Sequence, residues 1–241
     1  EIFLYYTDKT IDQKQTYSEI FKKNRKIGQN DNYICQLIRN DSVEEFIAYV
    51  NRTNFPLTTT IERSIFETNN FLLENNPTLI EYSAFYGSIQ IFTYLRQNEV
   101  ELPPSLWLYS IHSKNPDLIH ILEEFDVKPE IDHMTSYELC YNEAIKCHHN
   151  EFALYIQDNY LKYKKNSAYR LRKKWDNPDL YNPSIPFYKY HNFLLLQDLD
   201  LNQSIFYISI KYNIIYIANL FINDQVFNIN DKYLDNILNF L

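Results

Sequence analysis

The stretch Thr78-Leu-Ile-Glu-Tyr-Ser-Ala-Phe-Tyr-Gly-Ser-Ile-Gln-Ile-Phe-Thr-Tyr-Leu95 restricts the fold more than any other part of the chain. Its apolar spacing predicts two short amphipathic helices meeting at a turn on Gly87-Ser88. The first helix carries Ile80, Ser83 and Ala84 on one face; the second carries Ile89, Ile91, Phe92 and Leu95. Helices shorter than about 12–15 residues are marginal in water on their own. A pair this short must bury its apolar side on neighbours, and copies of the same pair are the simplest neighbours.

The copies are present. Residues 105–124, 136–158 and 204–222 repeat the pattern. A small residue recurs at one inner position (Ser83, Ser110, Ala144, Ser209), with a large apolar anchor three residues before it (Ile80, Trp107, Tyr141, Phe206). In the second helix an apolar pair recurs as Ile91-Phe92, Leu118-Ile119, Phe152-Ala153 and Ile217-Ala218. A further pair follows as Tyr94-Leu95, Ile121-Leu122, Tyr155-Ile156 and Leu220-Phe221. The small residues are 27, 34 and 65 positions apart. The last interval is close to two periods of about 33 residues, which places a degenerate unit between. That unit falls at 178–200, where Pro183 and Pro186 are expected to distort its first helix. Lys114, His148 and Asn213 stand where Gly87 stands, so Gly87 marks a turn rather than a site. An earlier pair is read at Tyr33–Arg39 and Val43–Val50.

The segments between are less regular. Residues 1–30 form an N-terminal segment with one helix expected around 16–24; its cluster Lys22-Lys-Asn-Arg-Lys26 reads as a solvated helix end. The array proper is expected over 31–241, with irregular insertions at 51–76 and 161–203. In the first insertion a loop at Asn54–Thr60 precedes a partial helix between Ile61 and Leu73. Helix starts are expected at Thr78, at Ser105 and Ser204 as caps, and at Asn115-Pro116. Capping boxes are expected at Ser42/Glu45 and Thr135/Glu138. Lys232–Leu241 reads as the first helix of one more unit, which makes the array look truncated.

The period, the small-residue position and the apolar pairs resemble the ankyrin repeat. Thr78, Ser83-Ala84 and Gly87-Ser88 echo its Thr-Pro-Leu-His-x-Ala-Ala-x-x-Gly-His string; Asn98–Glu101 and Asp224–Asn230 resemble its finger loops. The longer strings Tyr33–Ser42, Leu79–Phe92 and Ala144–Asn150 resemble an ankyrin-type domain family expanded in parasitic protists, which has no established activity. The resemblance covers roughly residues 20–241. It implies an all-α, ankyrin-like solenoid of stacked helix-turn-helix repeats and a binding role.

Composition excludes other classes. With only two glycines, Gly28 and Gly87, no phosphate-cradling loop and no nucleophile elbow can be built. A formal charge of −8 argues against a general nucleic-acid binder. Three cysteines (Cys35, Cys140, Cys147) suit a reducing compartment better than a disulfide framework. The longest apolar run, Ile214–Ile222, is about half of what a membrane span needs. No secretory leader is read at Glu1–Lys9, and the expected location is cytoplasmic.

No constellation of catalytic type stands out, and no cofactor is expected. Cys140, Cys147, His148 and His149 match no structural-zinc spacing, and His148-His149 read as turn residues. Cys147 beside His148 lacks an orienting third group for nucleophilic work. Glu44-Glu45 and Glu123-Glu124 are adjacent on helices and point apart. Trp107 occupies a core anchor position.

The function expected is non-catalytic recognition of a partner protein through the concave face. Residues not committed to the stack supply its surface: Glu81, Phe85, His112, Lys146 and Lys211 on the first helices, and Glu99, Glu101 and Lys128 on the finger loops. That placement is carried over by fold analogy. The alternative is a nucleic-acid-associated module using 162–175. There Lys162, Lys164, Lys165, Arg170, Arg172, Lys173 and Lys174 interleave with Tyr163, Tyr169 and Trp175.

Overall fold

The structure is a computed structural model that describes residues 11–129, 137–161, 185–192, 209–216 and 219. It divides into two compact units, residues 1–136 and 137–241. The described residues are mostly helical, joined by turns and short irregular segments, with one isolated antiparallel bridge between Thr60 and Thr78. The all-α expectation therefore stands. No helix among the described residues is long and apolar enough to cross a membrane.

In the first unit, α1 spans Ile11–Ile27. Three helix hairpins follow: α2 (Tyr33–Arg39) with α3 (Val43–Thr53), α5 (Leu79–Tyr86) with α6 (Ile89–Gln97), and α7 (Leu106–Ser113) with α8 (Pro116–Glu124). A six-residue helix, α4 (Asn70–Asn75), lies between the first hairpin and the second. α2 packs on α5, α5 on α7 and α3 on α6. The second unit holds the hairpin α9 (Tyr137–Lys146) with α10 (Asn150–Asn159), and the short α11 (Ile185–Lys189), which packs on α9.

One turn geometry recurs throughout. One or two residues past the end of each first helix stands a residue with a positive φ: Asp41 (49°), Gly87 (73°), Lys114 (59°), His148 (58°), His191 (54°) and Asn213 (55°). The next amide returns to a carbonyl five residues back: Ser42 to Leu37, Ser88 to Ser83, His149 to Ala144, Asn192 to Phe187 and Ile214 to Ser209. This closure satisfies carbonyls that a helix end leaves unpaired. At Lys114 a hydroxyl completes the link, since Ser113 Oγ accepts from the Asn115 amide (3.0 Å) and donates to the Ser110 carbonyl (2.7 Å). The four positions read as turns from the sequence are thus joined by Asp41 and His191.

The core follows the repeat register. Ser83, Ser110, Ala144 and Ser209 are fully buried, as are the anchors Ile80 and Trp107 and the pair Ile91-Phe92. Trp107 keeps its ring N–H satisfied by donating to the Val127 carbonyl at 2.7 Å. Phe187 takes the small position in the degenerate unit, and Pro186 falls at the second residue of α11. A proline in the first turn forfeits no helix hydrogen bond, so the helix survives, although only five residues long.

Side chains link successive hairpins. Both Asp41 carboxylate oxygens accept amides at the start of α6, from Gln90 (3.1 Å) and Ile91 (3.0 Å). The Ser88 hydroxyl donates to the Ile38 carbonyl. In the second unit Asn192 occupies the Ser88 position and donates to the Ile145 carbonyl at 3.0 Å, the equivalent of Ile38.

Several local expectations are corrected. Ser42 makes no capping bond, and the neighbouring Asp41 turns its carboxylate to the next hairpin. Ser105 has helical backbone angles and turns its hydroxyl to Glu81 rather than capping α7. The complete capping box lies at Thr78/Glu81, with both reciprocal bonds formed. α1 is longer than the helix expected at 16–24. Of the helix expected between Ile61 and Leu73, only the end from Asn70 onward is helical. Residues before it make tertiary bonds instead: Asn30 Nδ2 donates to the Glu62 carbonyl (2.8 Å), and Ser64 Oγ to Asp31 Oδ1 (2.7 Å). Thr135, Ser204 and Phe206 lie outside the described residues.

Candidate interaction surface

In each first helix one side-chain position sits two residues before the left-handed turn residue. In chain order its occupants are Arg39, Phe85, His112, Lys146, Lys189 and Lys211. These positions make the face the sequence singled out for recognition, and the two units treat it differently.

In the first unit the face is filled from within. Phe71 of α4 lies on it, 6.0 Å and nearly parallel to Phe85, 4.3 Å from His112 and edge-on to Tyr109 at 5.0 Å. Phe85 stacks in turn on His112 at 4.8 Å. Tyr82, Phe85 and Tyr109 are buried. Arg39 Nη1 donates to the Tyr82 hydroxyl at 2.8 Å, and its guanidinium stands 5.9 Å from the Tyr86 ring centre. Burial pushes the Cys35 thiol up to about 12, against the pull of Arg39. Burial likewise raises the hydroxyls of Tyr82, Tyr86 and Tyr109 above the ordinary tyrosine range. Such groups stay neutral at physiological pH.

This changes the standing of three residues expected at an open face. Phe85 is part of the aromatic core under Phe71. His112 is half-buried in the same cluster. Glu81 holds the α5 start with Thr78 and accepts the Ser105 hydroxyl, so it is committed to the stack. The signal for this self-covering lay in Phe71-Leu72, which the sequence reading left inside an irregular insertion.

The finger-loop residues remain outside. Glu99 and Glu101 are exposed, and Glu99 takes the left-handed position (φ 61°) that ends α6. Lys128 is exposed and pairs with Asp126 at 3.2 Å.

In the second unit the same helix position is occupied by lysines, and Lys146, Lys189 and Lys211 are all exposed. Burial disfavours the Lys146 charge, but its hydrogen bond and ion pair with Glu143 (3.1 Å) outweigh that, so it titrates above the ordinary range. The Tyr190 hydroxyl, one residue past α11, adds to the same shift. Lys189 lies 5.1 Å from the Tyr190 ring centre and Lys211 5.7 Å from that of Tyr212. Lys189 is the member the sequence reading missed, although Lys189-Tyr190-His191-Asn192 echoes Lys146-Cys147-His148-His149.

Cys140 is buried within α9 and its thiol is pushed up to about 12 by desolvation. Cys147 is half-buried, its Sγ 3.8 Å from Glu143 Oε1. His148 is the exposed turn residue, and His149 precedes α10 with its ring 6.4 Å from that of Phe152. Lys162, Lys164, Lys165, Arg170, Arg172, Lys173 and Lys174 lie outside the described residues. No family profile, no curated protein and no solved structure matches the chain.

Proposed function

We propose that the chain is a non-catalytic protein-recognition module of ankyrin type, a solenoid of helix hairpins that binds a partner protein in the cytoplasm. The observation that carries this reading is the turn geometry common to Asp41, Gly87, Lys114, His148, His191 and Asn213. With it comes the side-chain link from one hairpin to a carbonyl of the one before, made by Ser88 and again by Asn192. Repeats held in this way present side chains at regular intervals, which is the arrangement used by extended binding surfaces. The buried cysteines and tyrosines, neutral by desolvation, are unsuited to catalysis.

The recognition residues on this reading are Lys146 and Lys211 on the first helices and Glu99, Glu101 and Lys128 on the finger loops. Cross-linking capture of partners by the full chain, compared with Glu99→Lys/Glu101→Lys/Lys128→Glu and with Lys146→Glu/Lys211→Glu, tests it. A captured protein should be lost from at least one variant while both keep the parent helix content. Capture unchanged in both, or an RNA shift abolished by neutralising Lys173 and Lys174, would overturn the reading.

A further inference from the structure

The inner face of the first unit carries its own aromatic cover, so a partner reading the first helices must do so elsewhere. In the second unit, Lys146 and Lys189 come from two helices packed on each other, joined by Asn192 to Ile145 and by an edge-on contact of Tyr141 with Phe187 at 6.3 Å. Lys211 holds the same place relative to its turn residue Asn213. Resting on the recognition reading above, we infer that this lysine row is a docking site for an extended acidic peptide segment of a partner protein.

Spacing and charge carry the inference. Packed helices lie about 8–10 Å apart, so the ammonium groups of Lys146 and Lys189, at one register position of α9 and α11, recur at about that interval. An extended peptide advances about 3.3 Å per residue, so carboxylates three residues apart meet successive lysines. The row is cationic within a chain whose formal charge is −8, which makes it a local attractor for opposite charge. The aromatic rings beside the row do not favour nucleic acid. Lys189 and Lys211 each lie close to the ring of the following tyrosine, where base stacking would need an open ring face. Glu143 beside Lys146 opposes the closely spaced charges of a phosphate backbone more than carboxylates that recur only once per helix.

The test uses the full chain and fluorescence anisotropy. The probes are a labelled twelve-residue peptide with Glu or Asp at every third position, the same peptide with Gln and Asn in their place, and a single-stranded RNA oligomer. The acidic peptide should bind with an affinity that falls as salt rises, and the neutral one should not bind. Lys146→Glu/Lys189→Glu/Lys211→Glu should weaken acidic-peptide binding at least about tenfold at unchanged helix content. Arg52→Glu, at an exposed site on α3, should leave it unchanged. Lys189→Gln removes one charge without adding repulsion and should give a smaller loss, which guards against a folding defect in the triple variant. Equal binding by parent and triple variant overturns the inference, as does RNA binding that is lost in the triple variant while the acidic peptide fails to bind. If the acidic peptide fails but capture still depends on Glu99, Glu101 and Lys128, this inference falls and the recognition reading stands; if neither binds, both fall.

Discussion

At the scale of single residues, the turn after each first helix shows how a chain with two glycines closes six left-handed positions. A side chain in that conformation costs about 1 kcal/mol more than glycine. Lys114 is exposed and sits at φ 59°, so Lys114→Gly should stabilise the first unit by about 0.5–1 kcal/mol in chemical unfolding. Gly87→Ala should cost a similar amount, since an added Cβ would also meet Ser113 Cβ at 3.4 Å. Ser110 is fully buried and its hydroxyl has no partner among the described residues. Ser110→Ala should therefore be neutral or stabilising by about 1 kcal/mol. Ser110→Phe should destabilise by about 1–3 kcal/mol through overpacking and far more than Lys114→Ala. Thermal melts of these variants check the small-residue register directly.

The buried thiols give stability a pH dependence. Unfolded cysteine loses its proton near 9.0, whereas Cys35 and Cys140 hold theirs to about 12. The folded state binds more protons between those values, so stability is full below pH 9 and falls as pH rises. Between pH 8 and 10 the loss should be about 1 kcal/mol for each thiol in urea unfolding, and Cys140→Ala should remove its share.

At the scale of elements, helix existence was legible and helix capping only in part: Thr78 and Asn115 cap as expected, Ser42 and Ser105 do not. Every first helix and second helix of the three complete hairpins from Leu79 to Asn159 falls within a few residues of its sequence expectation. Apolar periodicity is a local signal, and it survives because the hairpins bury the face it marks. Capping depends on which oxygen reaches which amide. Ser42 with Glu45 has the spacing of a capping box, yet the oxygen that matters there is Asp41, facing a helix about fifty residues away. Asp41→Ala should leave those two amides of α6 without their carboxylate and cost about 1 kcal/mol. Asp41→Asn should recover part of that, since one oxygen can still accept. Hydrogen exchange at Gln90 and Ile91 reads the effect at the amides themselves.

At the scale of the molecule, the two units differ in what covers their first helices. Sequence periodicity marked which residues face inward from each helix, and Lys146 and Lys211 were found that way. It could not show that Phe71 would fill the same face in the first unit, because the docking rests on contacts between distant segments. Thr68 donates to the Gly28 carbonyl through both its amide (3.1 Å) and its hydroxyl (2.8 Å), and Glu67 Oε2 accepts the Asn30 amide at 3.2 Å. A Cβ at Gly28 would sit 2.8 Å from Thr68 Oγ1, on a backbone held at φ 67°. Gly28→Ala should therefore loosen residues 59–69 and raise protease cleavage there several-fold, while amides of α5 to α8 keep their protection.

The strap that carries Phe71 also sets an order of events. A hairpin such as α5–α6 closes over a handful of residues, whereas joining Gly28 to Thr68 closes a loop of |i−j| = 40. The entropic cost of closure rises with the logarithm of loop length, and contacts distant in sequence form late. The clasp between Gly28 and Thr68 thus closes after the individual hairpins have formed. Until Phe71 docks, Phe85 and Tyr109 lack the ring that covers them, and a folding chain in that state offers an aromatic face to a chaperone.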